Sequence, residues 1–107
     1  MSECEIDEHG TKWWYLDGEL HREDGPAIER HNGSKYWCLD GKLHREDGPA
    51  IERTHGDKYW YLHGGLHRED GPAVEFASGT KSWYLDGKEV TEAHIICHNR
   101  QRILELI

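Results

Sequence analysis

Between residues 27 and 39 apolar and polar positions alternate in two short runs. Ala27-Ile28-Glu29-Arg30 and Lys35-Tyr36-Trp37-Cys38-Leu39 flank His31-Asn32-Gly33-Ser34. Such alternation belongs to half-buried strands, and Asn-Gly between two of them is the strongest short hairpin signal. The return run places Trp37 and Leu39 on one face, Tyr36 and Cys38 on the other. Asp40-Gly41 reads as a second tight turn. Leu43-His44-Arg45 then leads into Asp47-Gly48-Pro49, a bend where Gly can supply an unusual φ and Pro removes a ladder donor.

The pattern recurs. Leu-His-Arg-Glu-Asp-Gly-Pro-Ala stands at 20–27, 43–50 and 66–73, a step of 23 residues. Three full units cover 19–41, 42–64 and 65–87; residues 1–18 end in Gly-Thr-Lys-Trp-Trp-Tyr-Leu-Asp-Gly, the second half of a further unit. A fixed period of this length denotes a repeat architecture, in which each unit packs on its neighbours. The expectation is one mainly β domain: an elongated antiparallel β-hairpin meander, one hairpin per unit, eight strands in all. One face carries Trp14, Trp37, Trp60 and Trp83 with Leu16, Leu39, Leu62 and Leu85. The other carries Trp13, Tyr36 and Tyr59 with Tyr15, Cys38, Tyr61 and Tyr84.

After Lys88 the pattern stops, and residues 88–107 read as a helical cap. Thr91 suits an N-cap, and Ala93, Ile96, Cys97, Arg100, Ile103, Leu104 and Ile107 recur at helical spacing, predicting an amphipathic helix over 92–105. It either seals the last hairpin or docks a second copy. The leading half-unit is expected to leave an unpaired strand edge, so a homodimer is a further expectation.

Composition sharpens this. The 107 residues carry a formal charge of −8 with His neutral. That opposes non-specific binding to phosphate backbones and suits a basic protein surface, or mimicry of a nucleic acid. Protonating the nine His would take the formal charge to +1, so binding to a basic partner is expected to weaken below about pH 6. Three scattered Cys argue for a reducing compartment. With no long apolar run and no signal-like N-terminus, a soluble cytoplasmic protein is expected, with no membrane contact.

The candidate chemistry lies in the repeated phrase. His21, His44 and His67, each followed by Arg-Glu-Asp, contain acid–base residue types. Three equal copies spaced along a stack do not converge on one pocket, however. The preferred reading is structural: Arg22, Arg45 and Arg68 pair with a neighbouring unit's carboxylates, Asp caps the bend, and His fills the groove. Repeated binding by the same His-Arg ladder comes next, and catalysis last. His94 and His98 are four apart on the predicted helix, but no third ligand is evident, so neither a metal site nor a cofactor is expected. No metalloprotease, P-loop or nucleophile-elbow motif occurs. Tyr15, Tyr36, Tyr59, Tyr61 and Tyr84 form the best recognition surface, since Tyr offers large contact area at low entropic cost. Lys12, Lys35, Lys58 and Lys81 read as solubilising residues on the Trp face.

The 23-residue, glycine-punctuated hairpin resembles the MORN repeat group. The wording W-Y-x-x-G-x-L-H-R-x-D-G-P-A is similar to repeats in small bacteriophage and large-virus proteins. The likeness covers 9–87. It departs from the usual pattern in using Asp-Gly-Pro at the bend and in the His-Arg-Glu-Asp insert. The resemblance implies scaffolding, dimerisation or lipid contact. For a viral protein of this size it implies a non-enzymatic inhibitor, of the anti-CRISPR kind or similar, that blocks a host or defence protein. The expected partner is such a protein, recognised through a basic nucleic-acid-binding surface. Sequestration of a nucleotide or other small ligand against Tyr and the His-Arg ladder is the alternative.

Overall fold

The computed structural model of the chain describes residues 3–96. These residues form an antiparallel β-hairpin stack of fourteen short strands with one helical turn. The leading half-unit contributes β1 (Glu3–Ile6) and β2 (Lys12–Leu16). The first full unit adds β3 (Glu19–Leu20), β4 (Ile28–Glu29), β5 (Lys35–Tyr36) and β6 (Cys38–Leu39). The next adds β7 (Lys42–Leu43), β8 (Ile51–Glu52), β9 (Lys58–Tyr59) and β10 (Tyr61–Leu62). The last adds β11 (Gly65–Leu66), β12 (Val74–Glu75) and β13 (Lys81–Leu85), and β14 (Lys88–Val90) follows at the start of the segment expected to be a helical cap.

The long return strand of each unit does two jobs. Its first half joins one ten-stranded sheet, ordered β1-β2-β4-β5-β8-β9-β12-β13-β14 with β3 on β2. In the two central units its second half leaves that sheet after Trp37 or Trp60 and closes a separate hairpin, β6-β7 or β10-β11. The expected eight-strand meander is therefore a sheet with a row of small hairpins along one side. Backbone bonds join the two parts. Trp37 N–H donates to Ala50 O at 2.7 Å, and Trp37 O accepts from His44 N–H at 3.0 Å. Successive hairpins also bond to each other: Arg45 N–H donates onward to Tyr61 O at 3.1 Å, and Gly64 N–H donates back to Leu43 O at 2.9 Å.

The two turns differ in type, which explains their residues. At Asp17-Gly18, Asp40-Gly41, His63-Gly64 and Asp86-Gly87 both central residues have positive φ, near 50° and then between 77° and 86°. That is the two-residue turn whose twist matches the flanking strands. The Asn-Gly turn is instead a three-residue loop. Gly33 N–H donates to Arg30 O, Arg30 N–H donates to Ser34 O, and only Gly33 takes positive φ, at 96°.

The glycine of Asp-Gly-Pro corrects an expectation. Gly25, Gly48 and Gly71 do not have positive φ. What excludes a side chain there is the Arg three residues earlier. A Cβ at Gly48 would lie 3.0 Å from Arg45 Cζ and 3.2 Å from its Nε.

The core is thin and made of small residues. Ala27, Ala50 and Ala73 are fully buried; Cys38, Ile51, Val74 and Ile95 nearly so. The four repeated Trp are only half-buried. At the leading edge β1 pairs with β2 from Glu3↔Tyr15 to Ile6↔Lys12, so the outermost strand of the sheet is the exposed, acidic β1 of the half-unit. Residues 92–96 form a helical turn, and Thr91 caps it by accepting from His94 N–H at 3.1 Å. The rest of the predicted helix lies outside the described residues.

Candidate functional site

Cross-strand pairing divides the candidate residues between two faces, because residues opposite one another in an antiparallel pair share a side. Trp13, Ile28, Tyr36, Ile51, Tyr59 and Val74 are in register across the sheet. Tyr15 and Tyr61 continue this side opposite Leu20 and Leu66, and Tyr84 stands opposite Glu89. All five candidate Tyr are half-buried. Burial, with Tyr59 and Tyr84 nearby, pushes the Tyr61 hydroxyl above its ordinary range. Phe76 meets Tyr59 edge-on at 6.1 Å. The opposite side carries Trp14, Trp37 and Trp60 with the His-Arg ladder; His21 N–H pairs with Trp14 O. The Tyr and the His-Arg residues therefore do not form one site.

Each Arg is committed to the bend of its own unit and to the Trp of the unit before it. Arg45 lies over the Trp37 ring at 3.8 Å, donates from Nε to Asp47 at 3.0 Å, and from Nη1 to Pro49 O at 3.1 Å and Glu52 at 2.8 Å. Arg22 repeats this on Trp14, Asp24, Pro26 and Glu29, and Arg68 on Trp60, Asp70, Pro72 and Glu75. The ion pairs that the described residues give these Arg are with carboxylates of their own unit, not of a neighbouring unit as the sequence suggested. The reason is local: the bend brings the residues two, four and seven positions on around the guanidinium.

The His bridge neighbouring hairpins instead. His21, His44 and His67 Nδ1 accept the backbone N–H of Asp40, His63 and Asp86 at 3.0, 2.9 and 2.9 Å. An accepting Nδ1 places the proton of the neutral ring on Nε2. That Nε2 stands 3.5–3.6 Å from Glu23, Glu46 and Glu69 Oε1, beyond a good hydrogen bond. His21 Nε2 is buried with no hydrogen-bond partner.

Between successive Glu-Asp-Gly-Pro bends lie two recesses of the same build. One, of 820 Å³, has Trp37, Leu39 and His44 between the bend at 22–26 and Arg45-Glu46-Asp47. The other, of 700 Å³, has Trp60, Leu62 and His67 between the bend at 45–49 and Arg68-Glu69-Asp70. Glu23, Asp24, Glu46, Asp47 and Asp70 are at least 83% exposed at the rim. Each recess is lined by two guanidinium groups and four carboxylates, and those guanidinium groups also serve Glu29, Glu52 and Glu75. Its chemistry is apolar and aromatic at the base and anionic at the mouth.

A second ladder escaped the sequence reading. Thr11, Ser34 and Asp57 each accept a backbone N–H one unit on, from His31 at 3.3 Å, Thr54 at 3.1 Å and Ala77 at 2.7 Å. The legible signal was a short oxygen-bearing residue at this repeat position in every copy. The Ala77 N–H is the main reason that the Asp57 carboxyl sits below its usual range; His55 adds to it. Among the described residues, no group of three His, Cys, Asp or Glu is placed to hold a metal, and His98 lies outside them.

No protein-family model, curated protein or solved structure matches the chain. The fold and the groove define a class: an antiparallel β-hairpin repeat protein with an anionic, aromatic-floored ladder along one side. Among the described residues no helix is long and apolar enough to cross a membrane.

Proposed function

We propose that the chain is a non-enzymatic protein-binding repeat module whose partner presents a basic surface. The observation that carries this is the pair of equivalent recesses with Trp-Leu bases and carboxylate rims. Repeated recesses suit repeated contacts, and an anionic rim steers a cationic partner at low salt. The His and Arg recur along the stack and are occupied by structural bonds, which supports binding over turnover. The same occupation weighs against nucleotide sequestration, because a phosphate would have to displace two carboxylates and a carbonyl from each Arg.

The wording of the repeat, similar to that of phage and large-virus proteins, supports a finer reading. In it the module is a MORN-like inhibitor, acting in the host cytoplasm on a host or defence protein through a basic nucleic-acid-binding surface. Scaffolding or dimerisation rests on the exposed edge of β1. Glu3 and Glu5 on that edge oppose pairing with a second copy.

The test is capture of partners from host lysate, followed by reconstitution with the purified partner. The expected result is a one-to-one complex weakened by salt, with loss of the partner's activity. Turnover of a substrate with no stable complex would sink the proposal.

A further inference from the structure

We infer that the groove takes an extended segment of the partner in polyproline-II form, with a basic residue at every third position and one cation in each recess. This rests on the binding reading above and specifies its ligand.

The first argument is chemical. Trp37 and Trp60 each carry an Arg over one ring face at 3.8 and 3.9 Å. The remaining ring surface, with Leu39 or Leu62, lines the recess. A Lys or Arg side chain suits such a place: its stem packs on the apolar base and its head meets the carboxylates. His44 and His67 present their Nε2 toward Glu46 and Glu69 at 3.6 Å without a short hydrogen bond. Glu46, 83% exposed, therefore has room for a second donor.

The second argument is spacing. Each unit adds two strands to the main sheet, so successive recesses are about 10 Å apart along it. Three residues of polyproline II advance about 9 Å and return to the same side of the chain. Three residues of a β-strand span a similar length, but i and i+3 then point to opposite sides. Helical positions i and i+7 are about 10.5 Å apart, a poorer match. A segment free of internal hydrogen bonds also enters the groove with little ordering cost.

The test uses the full chain and a labelled synthetic peptide of repeating Pro-Pro-Lys triplets, read by fluorescence anisotropy at low salt. Peptides of the same composition with Lys clustered, and a helical peptide with Lys every seventh residue, are the comparisons. Glu46 lines both recesses, so Glu46→Lys is expected to weaken triplet binding by about tenfold or more. Glu5→Lys makes the same charge change on exposed β1 and is expected to leave most of it. Tryptophan fluorescence and melting confirm that both variants fold. Equal binding by triplet and clustered peptides, tighter binding by the helical one, equal losses in both variants, or no peptide binding would each overturn the inference. The broader reading would fail separately, if the captured partner bound undiminished by salt or if no partner were held.

Discussion

Gly48→Ala decides what the bend glycine is for. Gly48 precedes Pro49 and lacks positive φ, so Ala suits its backbone. Removing chain freedom from the unfolded state would then stabilise the protein by about 0.4–1 kcal/mol. The new Cβ, however, meets Arg45 Cζ at 3.0 Å and Nε at 3.2 Å. The guanidinium cannot swing away freely, held as it is by Asp47, Pro49 O, Glu52 and the Trp37 ring. The stacking contributes about 1 kcal/mol and the carbonyl hydrogen bond about 1 kcal/mol. The ion pairs add at most about 0.5 kcal/mol, because Asp47 is 87% and Glu52 38% exposed. Losing most of this set outweighs the entropic gain, for a net destabilisation of about 1 kcal/mol. In an Arg45→Ala background the obstacle is gone, and the same change is expected to stabilise by about 0.5 kcal/mol. Urea denaturation of the four proteins, followed by Trp fluorescence, completes the double-mutant cycle. Equal destabilisation in both backgrounds would mean that the backbone, not the guanidinium, demands glycine, and the reasoning would fall.

Three further outcomes follow from the ladders. Ser34→Ala removes a buried hydroxyl that bonds Thr54 N–H and Oγ1; it should cost about 1–2 kcal/mol in urea denaturation, and no loss would discount the clamp. The Asp57 carboxyl is held below its ordinary value, chiefly by the Ala77 N–H. Its contribution to stability is therefore complete above the ordinary carboxylate value near 3.8 and fades as pH falls through the lower folded value. Asp57→Asn should lower the melting temperature at neutral pH and narrow its gap to wild type in acid; a constant gap would refute the linkage. Burial raises the Cys38 thiol above its usual range while Cys4 is exposed. With Cys97 replaced by Ser, a disulfide reagent should label one thiol quickly and the second only on unfolding; two equal fast phases would show that Cys38 is not shielded.

The sequence by itself determined the repeat, its hairpins and the side each aromatic takes. Period-two alternation and turn glycines are local instructions, and they act within a few residues. The N-cap at Thr91 was legible for the same reason. Tertiary structure decided what the repeated phrase does. The sequence placed Arg45 and Gly48 in one unit and Trp37 in the unit before, with nothing to join them. That the guanidinium closes over both its own bend and the Trp ring depends on how the chain folds back. The strand at Glu3–Ile6 and the clamps from Thr11, Ser34 and Asp57 were equally hidden, since their partners are set by pairing across units. The recesses belong to no single unit at all. They exist only where one bend faces the next, so the groove became visible when the stack was formed, because its walls come from residues 23 positions apart.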